Sequence, residues 1–386
     1  MRLLRVTQSM DPATGGVAEA IRLFGSVCQP LGCHLTVVCL DEPNAPWLQA
    51  APFRVIGLGQ RKGSYGYSPA LAPWLKAHAE DFDTAIVDGL WQYHGWATRR
   101  ALRGRVPYFV MPHGMLDPWF KRTYPLKHLK KWAYWPWAEY RILRDATGVI
   151  FTTEAERRKA AQSFWLYRTR QEHIASLGVA IPLFDKAKGR AALAGLLPAL
   201  KERQPYLLFL SRLHEKKGVD LLIRAYRRLE ATQPDQLPDL VLAGPAKDAA
   251  YLDVLKQLAE GSTRIHFSGM ISGDVKWAAL AGAQALVLPS HQENFGIVVA
   301  EALAVGTPVL LSEEVDIWRE VCEAGAGWVC GDDEETVFAA LQKFASCTAT
   351  ALADFRVRAH RCFQTHFESQ RAAQDLLKVL KDNAAH

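Results

Sequence analysis

The chain has 386 residues, 49% of them hydrophobic and 22% charged, with a formal net charge of +6. This composition excludes a disordered or fibrous chain and supplies enough apolar material for two domains. No segment approaches the ~18 consecutive apolar residues of a membrane-spanning helix, and the start, MRLLRVTQSMDP, lacks the apolar stretch of a secretory signal. The seven cysteines show no C-x-x-C pairing, so we expect reduced thiols in a cytosolic protein and no metal site.

Short apolar segments alternate with helix-length segments through the first half of the chain. Residues 15–32, GGVAEAIRLFGSVCQPLG, predict a helix that is opened by two glycines and closed near Gln29-Pro30. The apolar segments end in polar or glycine turns, which is typical of buried strands. The predicted strands are 3–8, 33–40, 84–90, 106–114 and 146–153.

The same alternation restarts near residue 205. Residues 217–230 predict an amphipathic helix with Val219, Leu222, Ile223 and Tyr226 on one face. The final stretch, from Asp354 onward, predicts one or two terminal helices. The predicted strands of this half are 205–213, 239–244, 264–269, 284–290 and 307–312.

Continuous apolar strands separated by helices predict βαβ units and parallel sheets. We therefore predict an α/β protein with two Rossmann-like parallel-sheet domains that face a central cleft. The periodicity breaks between residues 180 and 204, so we place an N-terminal domain at 1–180 and a C-terminal domain at 181–365. A last helix, within 366–386, is expected to pack back on the N-terminal domain.

Candidate ligand-binding turns follow the predicted strands, because ligands of parallel α/β sheets bind beyond the carboxyl ends of the strands. Gly15 and Gly16 open a helix after the first strand, where amide groups and the helix dipole suit a phosphate. The alternative is a junction that needs glycine flexibility. The segment is not G-x-G-x-x-G, which disfavours a dinucleotide.

A second turn, SRLHEKKGVD, carries Arg212 and Lys217 between a strand and a helix. A guanidinium fork and an ammonium point charge suit one diphosphate group. The alternative is a solvated basic loop.

A third turn, SHQENFGIVVAEALA, holds two acids eight residues apart, Glu293 and Glu301. Asn294, Phe295 and Gly296 would present amides at a helix N-terminus, and a carboxylate is a bidentate acceptor for a vicinal diol. The alternative places Glu293 as a favourable acid near a helix start and Glu301 on the surface. Apolar neighbours argue that Glu301 is buried, which is costly unless it has a partner.

These motifs together resemble a known family. SRLHEKKGVDLLIRAY, LVLAGP, IHFSGMI and PSHQENFGIVVAEALAVGTPVL are similar to the C-terminal domain of the family four retaining glycosyltransferases of the GT-B fold, whose signature is the E-x7-E spacing. The stretch PHGMLDPW is similar to a subset that acts in bacterial exopolysaccharide and O-antigen assembly. Two departures are Ser211, where the family often has glycine, and ASLGVAIP before the domain join.

The resemblance implies a nucleotide-sugar-binding C-terminal domain and an acceptor-binding N-terminal domain. Glu301 would hold the ribose, and Glu293 would contact the donor sugar beside the amides of residues 294–296. Arg212 and Lys217 would neutralise the leaving diphosphate, which Gly15 and Gly16 would let the N-terminal loop approach. Gly244 and Met270 would border the base. The implied catalytic residues are His113, Glu293, Arg212 and Lys217.

The resemblance also implies retention of configuration without a metal or another cofactor, since cations and helix N-termini can stabilise the leaving diphosphate. The departing phosphate oxygen is one acceptor for the proton of the attacking hydroxyl. His113, after the strand PYFVMP, would lie near the sugar and the acceptor, as a base or an orienting group. The alternative for His113 is a histidine packed at a strand end.

Residues 101–170 carry 14 Lys/Arg against 5 Asp/Glu, a net charge of +9, which points to an anionic partner. Basic residues mixed with tryptophans favour the interface of an anionic membrane and a lipid-linked acceptor. The alternative is a packed helix pair with a solvated basic face, and nucleic acid is disfavoured because no binding motif is present. The predicted surface comprises Trp119, Lys121, Arg122, Lys127, Lys130, Lys131, Trp132 and Trp135.

The leading hypothesis is a metal-independent retaining hexosyltransferase at the inner face of the cell membrane. It would move a hexose from GDP-mannose or a UDP-hexose to a lipid-linked glycan in bacterial surface polysaccharide synthesis. Two alternatives stay open: a nucleotide-sugar epimerase of the same fold, and a binding module without catalysis. Intact Glu293, Glu301, Arg212 and Lys217 argue against the second alternative.

Overall fold

The computed structural model describes residues 1–59, 61–119, 121, 125–198, 200, 205–234 and 237–384. The chain separates into two compact units. Unit 1 comprises Met1–Gly178 together with Glu368–His386, and unit 2 comprises Val179–Phe367. The junctions predicted from the sequence lie after residues 180 and 365.

Unit 1 contains a seven-stranded parallel sheet with the order β3-β2-β1-β4-β5-β6-β7. Its strands are β1 Arg2–Val6, β2 His34–Cys39, β3 Arg54–Gly57, β4 Thr84–Asp88, β5 Tyr108–Met111, β6 Gly148–Phe151 and β7 Glu172–Ile174. Its helices are Gly16–Val27, Pro46–Gln49, Leu71–Ala77, Tyr93–Leu102, Pro125–Tyr134, Glu139–Asp145, Glu154–Ala160 and Ser369–Ala384, with short 3-10 turns at Pro12–Thr14, Gln29–Leu31 and Ala79–Asp81.

Unit 2 contains a six-stranded parallel sheet with the order β10-β9-β8-β11-β12-β13. Its strands are β8 Tyr206–Leu210, β9 Asp239–Ala243, β10 Ile265–Gly269, β11 Ala285–Leu288, β12 Val309–Ser312 and β13 Gly327–Cys330. Its helices are Lys186–Leu196, Val219–Thr232, Ala249–Ala259, Gly273–Gly282, Ile297–Ala304, Trp318–Glu323, Glu334–Ala345 and Ala349–His366, with a 3-10 turn at Glu215–Lys217.

The central strands form because both faces of each sheet are covered. Every residue of β4, β8 and β11 is buried, as a parallel sheet between helices requires. The helix Val219–Thr232 buries residues at helical spacing, including the predicted Val219, Leu222, Ile223 and Tyr226. The predicted α/β class with two Rossmann-like parallel sheets is therefore confirmed.

The terminal helix Ser369–Ala384 completes the core of unit 1. Its buried face, which includes Ala373, Leu376 and Leu380, packs in one cluster with Leu3 and Phe109 of the sheet. Gly178 allows this approach, because a Cβ there would lie 2.5 Å from the Cα of Ser369.

The turn from β8 into the helix Val219–Thr232 depends on a glycine. Gly218 has φ 62°, and a Cβ there would lie 2.0 Å from the carbonyl oxygen of Pro289, which follows β11. The backbone of the loop after β8 therefore approaches the backbone of the loop after β11 too closely for any residue with a Cβ at position 218.

We predict that Gly218→Ala lowers the midpoint of urea unfolding, since left-handed strain alone costs ~1–3 kcal/mol and the overlap adds to it. The matched control is Gly195→Ala, in the helix Lys186–Leu196, where a Cβ would meet nothing within 4 Å. That control should be neutral or stabilising, because alanine is the better helix former. Equal midpoints for the two variants would contradict the role given to Gly218.

Candidate active site

In the sheet of unit 2, β8 pairs with β9 on one side and with β11 on the other. The direction in which successive strands are added therefore reverses between β8 and β11. Ligands of such sheets bind outside the carboxyl ends of the strands at this topological switch point. Arg212 and Lys217 follow β8, and Glu293 follows β11. The ammonium group of Lys217 forms an ion pair with the carboxylate of Glu293. The structure therefore brings this predicted cation and the first predicted acid together at the switch point.

Backbone hydrogen bonds fix the two loops that carry this ion pair. The amide of His291 donates to the carbonyl of Lys216 at 2.9 Å, which joins the loop after β11 to the loop after β8. The amide of Glu293 donates to the carbonyl of Glu314 at 2.9 Å, and the carbonyl of Glu293 accepts from the amide of Asp316 at 3.0 Å. The backbone of Glu293 is held on both sides, so its carboxylate is preorganised.

Neighbouring cations set the ionisation of Glu293. Burial acts to raise the pKa of its carboxyl, but the positive charges of Lys217, Lys216 and Arg212 outweigh burial and hold that pKa below its ordinary value. Glu293 is therefore ionised at neutral pH. Arg212 is exposed, and within the described part of the chain its guanidinium has no ion pair with a carboxylate. This guanidinium is thus open to an anionic ligand.

The loop after Glu293 turns directly into a helix. Gly296 has φ 71° and is the N-cap of the helix Ile297–Ala304. Phe295 is buried, with its ring centroid 5.7 Å from that of Phe367, so its side chain anchors the loop and only its backbone is available to a ligand. The predicted amides of Asn294, Phe295 and Gly296 thus stand at a helix N-terminus, which favours anions.

Glu301 lies inside the helix Ile297–Ala304, and its side chain is only 8% exposed. Lys276, in the helix Gly273–Gly282, donates to Oε1 of Glu301 at 2.6 Å. This pair supplies the partner that a carboxylate in an apolar helix needs. Lys276 was not predicted from the sequence, where it appears only as a lysine within the mostly apolar segment VKWAALAG.

Gly244 and Met270 stand at the carboxyl ends of the next two strands, β9 and β10. Gly244 has φ 143°, and a Cβ there would lie 1.8 Å from the carbonyl oxygen of Ser211. Its amide donates to the carbonyl of Gly269 at 2.8 Å. Gly244 is therefore packed against the residue before Arg212, whereas the side chain of Met270 is 73% exposed.

In unit 1, the helix Gly16–Val27 begins directly after Gly15, which has φ 101°. A Cβ at Gly15 would meet no atom within 4 Å, so backbone conformation and not crowding requires glycine there. The structure thus supports a glycine-dependent junction at Gly15, and Gly16 is the first residue of the helix. Their contact with a phosphate stays a prediction.

His113 follows β5 and lies against a buried ion pair that the sequence did not reveal. Its Nε2 lies 2.8 Å from Oδ1 of Asp88, at the end of β4. The guanidinium of Arg5, in β1, donates through Nε to Oδ2 of the same carboxylate at 2.8 Å. Burial acts to raise the pKa of Asp88, but Arg5 and His113 lower it to about 2. His113 is therefore part of a polar network and not an apolar packing residue.

The expectation of a metal-independent reaction included the absence of a D-x-D triplet, a metal-binding pattern, and this part was wrong, because one runs from Asp81 to Asp83. It precedes β4 and so stands at the amino edge of the sheet, opposite the carboxyl ends. Asp83 pairs with Arg2 at 2.7 Å. Among the residues that the structure describes, no group of three His, Cys, Asp or Glu is arranged to hold a metal ion.

The basic aromatic segment is only partly a surface. Lys121 and Lys130 are exposed, Trp132 is 46% exposed and Trp119 is partly buried. Arg122 lies outside the described residues, and only the backbone of Lys127 is described. No described helix is long and apolar enough to cross a membrane.

The prediction that Trp135 belongs to an exposed surface is wrong. Trp135 is fully buried, because its ring stacks on Phe164 at a centroid distance of 4.3 Å. Lys131 also turns inward, with Nζ 4.5 Å from the ring centroid of Trp91. Burial lowers the pKa of Lys131, although Glu139 opposes the shift. The helix Pro125–Tyr134 therefore has a packed side, and the core-packing alternative applies to Lys131 and Trp135.

Two family models match most of the chain. Residues 15–175 match the glycosyl transferase 4-like domain, and residues 198–353 match the glycosyl transferases group 1. This chain belongs to the group 1 glycosyltransferases. One curated relative is the D-inositol 3-phosphate glycosyltransferase of Kineococcus radiotolerans, 31% identical over 204 residues, which are 50% of this chain and 46% of that protein. The chain thus matches about half the length of that relative.

Solved structures show the fold of this glycosyltransferase over nearly its full length. The sucrose-phosphate synthase of Thermosynechococcus elongatus superimposes with a TM-score of 0.76 over 99% of both chains, at 21% identity. The Anabaena protein Alr3699/HepE, solved in complex with UDP and glucose, gives a TM-score of 0.75 over 99% of this chain and 100% of that one, at 19% identity. The GT-B architecture predicted from the sequence is thereby confirmed.

A buried acid beneath the helix Pro125–Tyr134 gives the protein a distinct pH dependence. Oε1 of Glu139 accepts the amide of Trp91 at 3.0 Å, and Trp91 has φ 71°. Burial raises the pKa of Glu139 to about 8, although the Trp91 amide and the Lys131 ammonium favour the charged form. Glu139 is therefore mostly protonated at neutral pH.

We predict that the wild type loses stability relative to Glu139→Gln as the pH rises from about 4.5 to about 8. The unfolded chain releases this proton first, and each unit of pKa difference is worth ~1.4 kcal/mol, so the loss amounts to a few kcal/mol. Thermal unfolding at pH 5 and pH 8.5 measures it. Glu80→Gln is the control, because the Glu80 side chain is 92% exposed. Parallel pH curves for the wild type and Glu139→Gln would refute the assignment.

Proposed function

We propose that this chain is a retaining glycosyltransferase that moves a hexose from a nucleoside-diphosphate sugar to a lipid-linked glycan. The donor is GDP-mannose or a UDP-hexose, and the product enters bacterial surface polysaccharide. The observation that carries the proposal is the Lys217–Glu293 ion pair beside Arg212 at the switch point of unit 2. The UDP and glucose bound by Alr3699/HepE support a nucleotide sugar as the donor class.

The charges of this site suit the bond that must break. When the sugar leaves the nucleotide, positive charge grows on the anomeric carbon and negative charge grows on the diphosphate. Arg212 and Lys217 stabilise the diphosphate as preorganised cations, and the amides at the start of the helix Ile297–Ala304 add to them. The ionised carboxylate of Glu293 faces the donor sugar. Its ion pair uses one of the three ammonium protons of Lys217 and leaves the others for a phosphate oxygen.

Glu301 is assigned to the ribose hydroxyls. Lys276 donates to Oε1 of this carboxylate, and the carboxylate is the group that would accept from the ribose diol. Gly244 and Met270 border the base from the adjoining strand ends. In unit 1 we assign Gly15 and Gly16 to the diphosphate and His113 to the acceptor. The displaced D-x-D triplet supports a reaction that needs no divalent metal.

The test is a calorimetric titration with UDP and with GDP, both in EDTA. One nucleotide should bind without metal, and its sugars should then be transferred to an acceptor.

We predict that Glu301→Ala weakens nucleotide binding by about tenfold or more, because hydrogen bonds to the ribose are lost. A tenfold loss of affinity corresponds to ~1.4 kcal/mol. Glu293→Ala should keep nucleotide affinity but lose turnover by about a hundredfold, because its contact is with the reacting sugar.

The control for both variants is Glu335→Ala, an exposed acid paired with Arg228 elsewhere on unit 2. It should match the wild type in affinity and turnover. Product analysis separates the alternatives, since an epimerase would return a changed nucleotide sugar with no acceptor present. The proposal fails if neither nucleotide binds, or if both active-site variants turn over at the wild-type rate.

The membrane part of the proposal rests on the outer side of the helix Pro125–Tyr134. Leu126, Leu129 and Trp132 recur every three residues and are 83%, 64% and 46% exposed. The Trp132 ring lies 6.1 Å from that of Trp165, which is 66% exposed. We call these four side chains the outer apolar face. Exposed Lys121 and Lys130 lie on the same segment, and this mixture suits an anionic bilayer surface.

We predict that the protein sediments with vesicles containing phosphatidylserine but not with pure phosphatidylcholine vesicles at low salt. Leu129→Glu and Lys130→Glu should each reduce binding by about fivefold or more, since a basic residue near an anionic surface contributes ~1 kcal/mol. The control is Leu183→Glu, because Leu183 is fully exposed in unit 2. Equal sedimentation of all three variants with the wild type would exclude this surface as the docking site.

A further inference from the structure

An ion pair is buried inside the apolar core of unit 1. Arg5 is 1% exposed and Asp88 is 2% exposed. Arg5 stands in β1 between strand residues whose side chains build the core, and its guanidinium lies over the ring of Phe24. Aliphatic residues of similar volume usually serve stability as well as such a pair or better. The pair is therefore a candidate for a role in chemistry.

Oδ1 of Asp88 holds His113 and also accepts from Nη2 of Arg5. Both partners of Asp88 come from neighbouring positions in the sheet, since β1, β4 and β5 are adjacent. The side chain of His113 is 6% exposed, and Nε2 lies 2.8 Å from Oδ1 of Asp88. Nε2 of His94 meets only the backbone carbonyl of Asp88, so it does not compete for the carboxylate.

Backbone strain is concentrated around the same carboxylate. Among the described non-glycine residues, only Trp91 and His113 have positive φ, at 71° and 51°. They stand in the loops that follow β4, which ends at Asp88, and β5. Oε1 of Glu139 fixes the amide of Trp91, and Oε1 of Glu156 fixes the amide of Gly114 at 2.6 Å. Strain that buried carboxylates hold in place is typical of functional sites.

The hydrogen-bond chemistry determines which nitrogen of His113 carries a proton. The charge of Arg5 helps to keep Asp88 ionised, and an ionised carboxylate accepts hydrogen bonds but donates none. Nε2 of His113 must therefore be the donor, which leaves the lone pair of the neutral ring on Nδ1. Among the described residues, Nδ1 has no hydrogen-bond partner. It is the nitrogen available to a substrate.

We propose that Arg5 and Asp88 are positioning residues that fix His113 as the Nε2–H tautomer, so that Nδ1 takes the proton of the acceptor hydroxyl. The hydroxyl oxygen bonds to the anomeric carbon as its O–H bond breaks. The bond from that carbon to the donor phosphate breaks, and its electron pair goes to the phosphate. Asp88 stabilises the imidazolium, which then returns the proton to solvent. The identity of the hydroxyl rests on the proposed function, whereas the tautomer is a property of the chain alone.

The double variant Arg5→Met/Asp88→Leu tests the proposal. It removes the carboxylate that accepts from Nε2 of His113, and it removes Arg5 as well, so that no unpaired buried charge is left. Long-range 1H–15N NMR of the imidazole rings reports the tautomer without any substrate, and His113→Gln assigns the signal. We expect Nε2–H in the wild type and a mixture of both neutral tautomers in the double variant.

The rate should fall with the loss of this carboxylate. In the double variant we expect kcat to fall about a hundredfold or more, a usual loss for a general base, because the imidazolium loses its counter-charge, while the affinity for the nucleotide changes less than about twofold. Arg5→Lys keeps a cation beside Asp88, so it should keep the Nε2–H signal and a kcat within about tenfold of the wild type. A purely structural role would not link the tautomer to kcat in this way.

Asp145→Asn is the matched control, because Asp145 is also a buried acid of unit 1 and pairs with Arg99 at 2.6 Å. It should lower thermal stability without changing the His113 signal or kcat. A wild-type tautomer in the double variant would overturn the positioning role. A lost tautomer preference with wild-type kcat would overturn proton transfer to His113. If the tautomer preference is lost but no nucleotide sugar is ever transferred, even by the wild type, the positioning role stands and the proposed function fails.

Discussion

When a parallel sheet adds later strands on both sides of its first strand, the helices that cover the sheet leave a gap beside that strand. Both sheets of this protein meet this constraint, because β1 lies between β2 and β4, and β8 lies between β9 and β11. The helices that follow the two neighbours pack on opposite faces, so the carboxyl ends there are uncovered. The candidate residues of each unit, from Arg5 to His113 and from Arg212 to Glu293, are arranged around these two gaps.

Each candidate carboxylate is paired with its own cation. Glu293 pairs with Lys217, Glu301 with Lys276 and Asp88 with Arg5. In every pair the two residues come from different secondary-structure elements, so folding brings the charges together. A carboxylate that is paired in this way needs little reorganisation when a ligand binds. Glu139, in contrast, is kept mostly protonated by burial, which shows that burial and pairing give opposite charge states within one fold.

The sequence predicted the central strands and missed three at the edges. The strands β3, β7 and β13 each lie at the end of a sheet and are mostly half-buried or exposed. An edge strand is less buried than a central strand, so its sequence shows only a weak apolar pattern. A central strand has a continuous apolar segment. Helix existence was predictable for the same reason, as in Val219–Thr232, whose buried residues follow the helical period.

Within the candidate sites, residues that belong to a local sequence motif were predictable, but the side chains that pair with them were not. The E-x7-E spacing and the turn with Arg212 and Lys217 are visible along the chain, but Lys276 and Arg5 lie in segments without a signal. The composition around the helix Pro125–Tyr134 also led to a wrong prediction of which residues are exposed. Lys131 and Trp135 were predicted to lie on a surface, but Trp135 stacks on the ring of Phe164 and Lys131 lies over the ring of Trp91.

The terminal helix has a consequence for how this protein is made. Its residues Leu376 and Leu380 belong to the same core as Leu3, yet the whole of unit 2 is synthesised between them. On the ribosome, unit 2 can assemble while unit 1 still exposes the apolar groove that this helix fills. Contacts between such distant parts of a chain form late. A polypeptide released before Ser369 is translated would therefore contain a folded unit 2 and a unit 1 with an exposed apolar surface, to which chaperones bind.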